Sequence, residues 1–312
     1  MRQSEPHLAD RGPDAANHLR ERMMRVLLFT DGSAGTRAAM MWLERFVPTE
    51  PSTLWIVAIA HTPRLSSKSP SVLESLRKLL LDRSRRLCEE ARARLKDHWP
   101  DLQLDVIEGD PHEQLLRAAD HRKPELVVLG RNAAAGPSSS LGSVARLGGH
   151  HLECSVLLVD RAPESMREIV LGTDGSPGAR EAARLLSLFH FGPPPRVLSL
   201  GIVDASWRRG LAAEDVAPEV QRALDEVEAQ EAADTRLHLG RRTGILAERA
   251  TVESDVAIGR PAELLLDASR RRTADLLAIG HQGVGPVRRL TLGSVAAELL
   301  AAAPCSLLIG RK

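Results

Sequence analysis

The chain has 312 residues, with 42 Lys and Arg against 41 Asp and Glu, which gives a formal net charge of +1. Balanced charge provides no general attraction to nucleic acid or to an anionic membrane surface. Only 3% of the residues are aromatic and none is Tyr, so stacking platforms for single strands are not expected. No apolar run is long enough to span a bilayer. We therefore predict a cytoplasmic protein that has neither nucleic acid nor membrane as a partner.

Three cysteines are spread along the chain without metal-ligand spacing, which predicts no metal site and suits a reducing cytosol. Cys154 and Cys305 start apolar runs and are predicted to be buried structural thiols. Cys88 falls in a helical pattern rich in Arg and Glu, and we expect it to be the more exposed thiol.

In chain order, residues 1–24 come first and are polar, with Pro and Gly among them. They lack the apolar core of a signal peptide and are predicted to be a disordered tail. Strand-like and helical patterns then alternate. The predicted strands of the first half cover residues 25–30, 53–60, 102–107, 126–129 and 155–159, and the predicted helices cover residues 38–46, 72–99, 113–122 and 143–150.

The second half repeats this alternation. Its predicted strands cover residues 169–173, 197–203, 251–256 and 276–279, with a last strand after Cys305, and its predicted helices cover residues 218–239, 262–272 and 295–300. Residues 190–195 contain three consecutive prolines, which predict a rigid loop that stops the first helix of this half. Alternation of strands and helices predicts an α/β fold with helices on both faces of a parallel sheet.

Short motifs recur in the same order in both halves, at offsets that drift only from 143 to 151 residues. The recurring segments are Asp31-Gly32-Ser33 with Asp174-Gly175-Ser176, Gly130 with Gly280, and Gly142-Ser143 with Gly293-Ser294. Repeats of this kind indicate tandem duplicated domains. We assign residues 25–160 and 168–312 to the two domains and residues 161–167 to a linker.

The glycines of the second half suggest an anion site. Gly280 ends a predicted strand, and Gly293 with Ser294 opens a predicted helix. A helix N-terminus presents free amides and partial positive charge, and glycine lets the backbone approach a phosphate closely. Asp174 follows the first strand of this half, where a carboxylate could accept a hydrogen bond from a ribose hydroxyl or a base. If those strands are neighbours, all these groups share one crevice, as a nucleotide requires.

The same residues resemble a tandem universal stress protein. The family signature is Gly, two residues, Gly, nine residues and Gly-Ser, and Asp174, Gly280, Gly283, Gly293 and Ser294 match it. The resemblance implies two Rossmann-like (adenine nucleotide alpha hydrolase-like) domains, each with a five-stranded parallel sheet. It implies ATP or a related adenine nucleotide, with or without Mg²⁺, whose adenine meets the main chain near Val203. It also implies pairing of the two domains through their last strands, as in a dimer.

The first half departs from this signature. Ala133 stands where the second glycine belongs, and only eight residues separate it from Gly142. A Cβ at that place obstructs close approach or positive φ. We therefore expect weaker or absent nucleotide binding at the corresponding residues, which are Asp31, Gly130, Gly142 and Ser143.

Our first hypothesis is an ATP-binding universal stress protein that acts as a nucleotide-dependent regulator in the stress response, and not as an enzyme. Neither a phosphate-loop motif with Lys nor an obvious catalytic spacing is present in the sequence. One alternative is a slow ATPase or a nucleotidyl-transfer enzyme, and another is a ligand-free scaffold. A homodimer of chains is compatible with each. The simplest alternative for the glycine loop is a tight turn without ligand, with Asp31 and Asp174 capping turns and His281 facing solvent.

Overall fold

The computed structural model describes residues 23–61, 70–131, 141–205, 208, 216–283 and 292–312. Residues 1–22 of the predicted tail and Ala133 lie outside this part of the chain, so the predictions made for them stay predictions.

The first half alternates strands and helices in chain order. Its elements are β1 (Met24–Thr30), α1 (Ala34–Arg45), β2 (Val47–Pro48), β3 (Ser52–Ala60), α2 (Pro70–Leu95), β4 (Asp101–Glu108), α3 (Pro111–Arg122), β5 (Leu126–Gly130), α4 (Ser143–His151) and β6 (Ser155–Val159). Helix α1 begins four residues before its predicted start because the Ser33 hydroxyl caps it, accepting a hydrogen bond from Thr36 N at 3.3 Å.

The second half has the same order. Its elements are β7 (Glu168–Gly172), α5 (Pro177–Leu188), β8 (Phe189–His190), β9 (Arg196–Asp204), α6 (Pro218–Thr243), β10 (Thr251–Gly259), α7 (Pro261–Arg271), β11 (Leu276–Gly280), α8 (Ser294–Ala302) and β12 (Ser306–Gly310). The two-residue strands β2 and β8 are absent from the predictions because their pairing partner lies in the other half of the chain.

The ten long strands form one sheet in the order β10-β9-β7-β11-β12-β6-β5-β1-β3-β4. Each half contributes five parallel strands, and its first strand lies between its second and its fourth. The predicted α/β class with two five-stranded parallel sheets is confirmed. The halves join where β12 pairs antiparallel with β6, as the resemblance implied for the last strands.

Helices cover both faces of the sheet and bury two continuous cores. One core lies beneath α1, α2 and α5, and the other beneath α3, α4, α7 and α8. Each core contains residues from both halves, because the sheet runs without a break through the β6–β12 pair. The two halves therefore share hydrophobic burial, the main favourable term in folding.

Two serines make matching contacts across the junction of the halves. The Ser155 hydroxyl accepts a hydrogen bond from Arg311 N at 3.0 Å and donates to Arg311 O at 3.3 Å. The Ser306 hydroxyl accepts from Asp160 N at 3.1 Å and donates to Arg161 O at 3.3 Å. These bonds satisfy backbone groups just beyond the ends of the two paired strands.

Two buried arginines also cross this junction, and each one meets the C-terminus of a helix in the opposite half. Arg131 donates to the carbonyls of Ala303 and Cys305, at 3.1 Å for the latter, beyond the end of α8. Arg311 donates to the Gly149 carbonyl in α4 at 2.6 Å. A cation at a helix C-terminus satisfies free carbonyls and complements the helix dipole. Burial lowers the pKa of both guanidinium groups.

A cluster of four aromatic rings forms a second contact between the halves. Trp42 lies 5.1 Å from Phe46 and 4.9 Å from Phe189 between ring centroids, and Phe46 lies 5.6 Å from Phe191, all edge to face. Strand β2 follows Phe46 directly and pairs with β8, which contains Phe189. Three of the four phenylalanines of the chain are therefore used to join its halves.

The burial of the cysteines differs most from expectation at Cys88. Cys88 is buried at 2% exposure, so its predicted exposure is wrong: it lies on the face of α2 that packs against the sheet. Cys305 is buried as predicted, and Cys154 is half-buried. Burial raises the thiol pKa to about 11 for Cys88 and Cys154 and to about 12 for Cys305. All three are protonated at neutral pH, as structural thiols are.

We predict that Phe189→Ala lowers the free energy of unfolding by about 3–5 kcal/mol, the cost of removing a buried ring from a packed cluster. Urea denaturation followed by circular dichroism measures this change. His190→Ala is the matched control, because His190 is exposed and pairs with Val47 through its main chain. Equal, small losses in both variants would show that the ring cluster does not stabilise the protein.

Candidate functional site

The second half contains a cleft of about 700 Å³ at the carboxyl ends of its strands. Strand β7 lies between β9 and β11, and its last bond to β9 is donated by Thr173 N to Leu200 O at 3.0 Å. On its other side β7 borders β11, and these two strands lead to helices on opposite faces of the sheet, since β7 is followed by α5 and β11 by α8. Such a point, where strand order reverses, is the usual ligand site of open α/β sheets.

The floor of the cleft is apolar and lies on the face of the sheet covered by α7 and α8. Leu200, Leu265 and Ile279 line it and belong to the core beneath these helices, and Ile202 packs against that core. An apolar surface of this kind can bury the face of an aromatic heterocycle. Asp174 and Asp204 supply carboxylates at the same edge of the sheet.

The N-terminus of α8 closes one end of the cleft. Gly293 is its N-cap and contributes no side-chain cap, and the first helical bond is donated by Ala297 N to Gly293 O at 2.9 Å. The amides of Ser294, Val295 and Ala296 therefore have no acceptor within the helix, and all three residues line the cleft. Free amides together with the positive end of the helix dipole form an anion site.

Gly293 lies close to the strand end that precedes the loop. Its amide donates to the His281 carbonyl at 2.8 Å. A Cβ added to Gly293 would lie 3.1 Å from that carbonyl oxygen and 3.4 Å from Gln282 Cα. Glycine thus lets α8 start directly against β11, which brings its free amides to the cleft.

The carboxylate of Asp174 lies between the turn that follows β7 and Gly283 beyond the end of β11. Its Oδ1 accepts a hydrogen bond from Ser176 N at 2.8 Å, which closes a turn through Gly175 at φ +80°. This is the turn-capping role foreseen as an alternative. The other oxygen, Oδ2, lies 3.0 Å from the place a Cβ on Gly283 would take. One carboxylate oxygen is thus used by the turn, and the other faces the glycine loop.

Gly280 serves helix packing. A Cβ there would lie 2.6 Å from Ala179 N, in the first turn of α5. Gly178 and Gly310 are equally tight, with added Cβ atoms 2.7 Å from Gly310 O and 2.3 Å from Gly178 O. These three glycines let α5 approach β11 and β12 closely. Gly280 therefore positions the site through packing, whereas Gly283 is exposed beside the cleft.

His281 is half-buried, so the expectation that it faces solvent is wrong. Its Nδ1 lies 3.3 Å from Gly310 O, next to α5, because the close approach of α5 covers this position. Burial and then the charge of Arg311 lower its pKa, so the ring is neutral at neutral pH.

Val203 has a buried side chain that does not line the cleft, while its neighbours Ile202 and Asp204 do. Side chains alternate between the faces of a strand, so Val203 points to the opposite face. The contact predicted from the resemblance involved main chain, and it stays a prediction.

The corresponding residues of the first half have the same frame with different contacts. Asp31 Oδ1 accepts from Ser33 N at 2.8 Å and from the Thr36 hydroxyl at 3.1 Å. A Cβ on Gly130 would lie 2.2 Å from Gly35 C, so Gly130 is a packing glycine like Gly280. Gly142 caps α4 and donates its amide to Arg131 O at 2.9 Å, and Ser143 is exposed at the first position of α4.

Sequence reasoning missed Asp204 and the apolar floor made by Leu200 and Ile202. One signal was available: Asp204 ends an apolar strand just as Asp174 does. Among the described residues, no cluster of three or more His, Cys, Asp and Glu side chains could hold a metal ion. Within the same residues, no helix has both the length and the hydropathy to cross a membrane.

We predict that Gly280→Ala lowers the free energy of unfolding by about 1–3 kcal/mol, because its Cβ overlaps the backbone of α5. The matched variant Gly283→Ala should change it by less than about 0.5 kcal/mol, since its one close neighbour is a side-chain oxygen at an exposed site. Urea denaturation of both variants measures the difference. Equal losses would contradict the distinction between a packing glycine and a cleft glycine.

Comparison with known proteins agrees with this architecture. The model of the universal stress protein family matches residues 23–160 and 166–311. A universal stress protein of Thermus aquaticus is 31% identical over 157 residues, covering 46% of this chain and 98% of its own. One from Methanocaldococcus jannaschii is 29% identical over 146 residues, covering 47% and 82%.

Among solved structures, a universal stress protein of Archaeoglobus fulgidus aligns with a TM-score of 0.60 at 15% identity, over 92% of this chain and 98% of its own. That likeness shows a shared fold over both halves. Because the family model matches two successive segments that together span most of the sequence, the chain belongs to the universal stress protein family, with two such domains in tandem.

Proposed function

We propose that this protein binds an adenine nucleotide, ATP in the first place, in the cleft of its second half and acts as a nucleotide-dependent regulator. The observation that carries the proposal is the meeting of three features in one cleft: the free amides of α8, the carboxylate of Asp174 and the apolar floor. These features match the phosphates, the ribose hydroxyls and the base of a nucleotide.

The chemistry of the lining fits this ligand. The anion site lies at the end of β11, next to Gly283 and Gly293, so the phosphates would bind there with Ser294 as an additional hydroxyl donor. Asp174 lies on the adjacent strand β7, where its Oδ2 could accept a ribose hydroxyl hydrogen. The base would then cover Ile202 and Leu200 on β9. Mg²⁺, where present, would accompany the phosphates.

A regulatory role follows from what this cleft lacks. Among its described lining residues no Lys or Cys is present and His281 packs against α5, so the hydroxyl of Ser294 has no adjacent Lys or imidazole base of the kind that activates a nucleophile. A nucleotide that binds one conformation better than another shifts the population toward it. A partner that recognises the loaded conformation would receive the signal.

The first half is expected to bind nucleotide weakly or not at all, because Ala133 replaces the second glycine of the signature. The described residues add one contrast: Asp31 Oδ1 is shared by Ser33 N and the Thr36 hydroxyl, while the residue corresponding to Thr36 in the second half is Ala179. Asp31 is therefore held more firmly in its own turn than Asp174.

We predict that calorimetric titration with ATP gives one site per chain, and that Gly293→Val weakens ATP at least about tenfold because its side chain overlaps the backbone at His281. Gly142→Val is the matched control at the same N-cap position in the first half. It should leave the affinity and the stoichiometry unchanged.

Two outcomes would contradict the proposal. Loss of binding in Gly142→Val with binding retained in Gly293→Val would move the site to the first half. Steady release of phosphate from ATP, if Asp174→Ala abolishes it, would show that the protein is an ATPase and not a regulator that only binds nucleotide. Thermal denaturation of each variant without ligand separates loss of the site from loss of the fold.

A further inference from the structure

We propose that Asp204 determines the base specificity of the cleft by accepting a hydrogen bond from the exocyclic amine of a 6-aminopurine. The inference rests on the proposed nucleotide site and assigns a residue that neither the glycine signature nor Asp174 includes. Asp204 is the last residue of β9, and it is exposed at the rim of the cleft.

The arrangement of the strands sets the direction of a bound nucleotide. The anion site lies at the end of β11, Asp174 follows β7, and Asp204 ends β9. These strands are consecutive neighbours in the sheet, so β9 lies two strand spacings, about 10 Å, from β11. With the phosphates at α8 and the ribose at Asp174, the base extends toward β9.

The side chain of Asp204 lies on the same face as the apolar floor. Leu200, Ile202 and Asp204 occupy alternate positions of β9 and all line the cleft. Asp204 is two residues beyond Ile202, about 6–7 Å further along the strand. A base that covers Ile202 thus presents its outer edge to the carboxylate.

Main-chain groups of β9 can form hydrogen bonds with the same outer edge of the base. Ala205 N donates to Gly259 O at 3.3 Å, on the β10 side of the strand, while Leu200 O accepts from Thr173 N on the β7 side. The N–H and C=O groups of successive residues point to opposite sides of a strand, so those of Ile202 and Asp204 point to the same side as those of Leu200. Strand β7 ends level with Leu200 and therefore does not pair with them. The base edge would therefore meet both the main chain and the Asp204 carboxylate.

The acceptor chemistry selects the ligand class. A carboxylate only accepts hydrogen bonds, and it has about four acceptor positions, so Asp204 can accept another donor beside its partner within the protein. At the 6-position adenine presents an amine, whereas guanine and hypoxanthine present a carbonyl oxygen, which a carboxylate placed at that position repels. Asp204 thus favours 6-aminopurines and disfavours 6-oxopurines.

The first half has a different residue at this position. Gly109 follows β4 and Gly259 ends β10, the third long strands of their halves, with matching φ values of +143° and +146°. They lie beside His61 and Asp204 respectively. His61 Nδ1 is 3.3 Å from Gly109 O. A neutral imidazole has one donor and one acceptor, so it can pair with a 6-oxo group as well as with a 6-amino group and does not discriminate as a carboxylate does. The proposed selectivity therefore belongs to the second half.

The test compares ATP with purine riboside triphosphate, which differs from ATP only in lacking the 6-amino group. We expect the wild-type protein to prefer ATP by about tenfold or more, as loss of a hydrogen bond to a charged group implies. Asp204→Ala should lose most of this preference, and only the part that main-chain acceptors of β9 provide should remain. Asp255→Asn is the charge-matched control, because Asp255 is exposed on β10 outside the cleft lining, and it should keep the preference.

The ratio of the two affinities makes the test specific. Removing a negative charge changes the affinity of both triphosphates alike, so the ratio reports the amine contact alone. Asp204→Asn, which retains one acceptor oxygen, should keep part of the preference and serves as a second variant if Asp204→Ala is unstable. A preference unchanged in Asp204→Ala overturns the assignment of Asp204. Failure of both nucleotides to bind the wild-type protein instead overturns the proposed function.

Discussion

The antiparallel pairing of β6 with β12 is the contact on which the rest of the structure depends. It turns two five-stranded parallel sheets into one sheet of ten strands and makes both hydrophobic cores continuous across the chain. Strands buried on both faces need their edges covered or paired, and each half meets that need with the other. Arg131 and Arg311 strengthen this junction by binding helix C-termini of the opposite half.

Residues of the junction also contact the helix and the strand that form the candidate site. Helix α8 presents its N-terminal amides to the cleft, and its C-terminal end lies against Arg131 from the first half. Gly310, at the end of β12, accepts hydrogen bonds from His281 N and leaves room for α5. The described residues on both sides of the cleft are thus held by packing and hydrogen bonds in the absence of a ligand, which favours affinity.

The sequence was sufficient for the sheet because its strands are short apolar runs and because duplication supplied each element twice. The cleft glycines and Asp174 could also be found from the sequence, because their motifs recur in both halves. The sequence could not separate Gly280 from Gly283, since Gly280 ends β11 and Gly283 comes only three residues later, and only the nearby backbone of α5 distinguishes them. The burial of Cys88, the aromatic cluster and the arginine contacts depend on segments far apart in the chain, which local patterns do not encode.

We propose that the nucleotide binds in the second half and not in the first. A crystal structure of the protein grown with ATP tests it directly. The account predicts one nucleotide per chain, with its phosphates at the amides of Ser294 to Ala296 and its base on β9 next to Ile202. Nucleotide at Gly142 and Ser143 in the first half, or none in the cleft of the second half at saturating ATP, would contradict it.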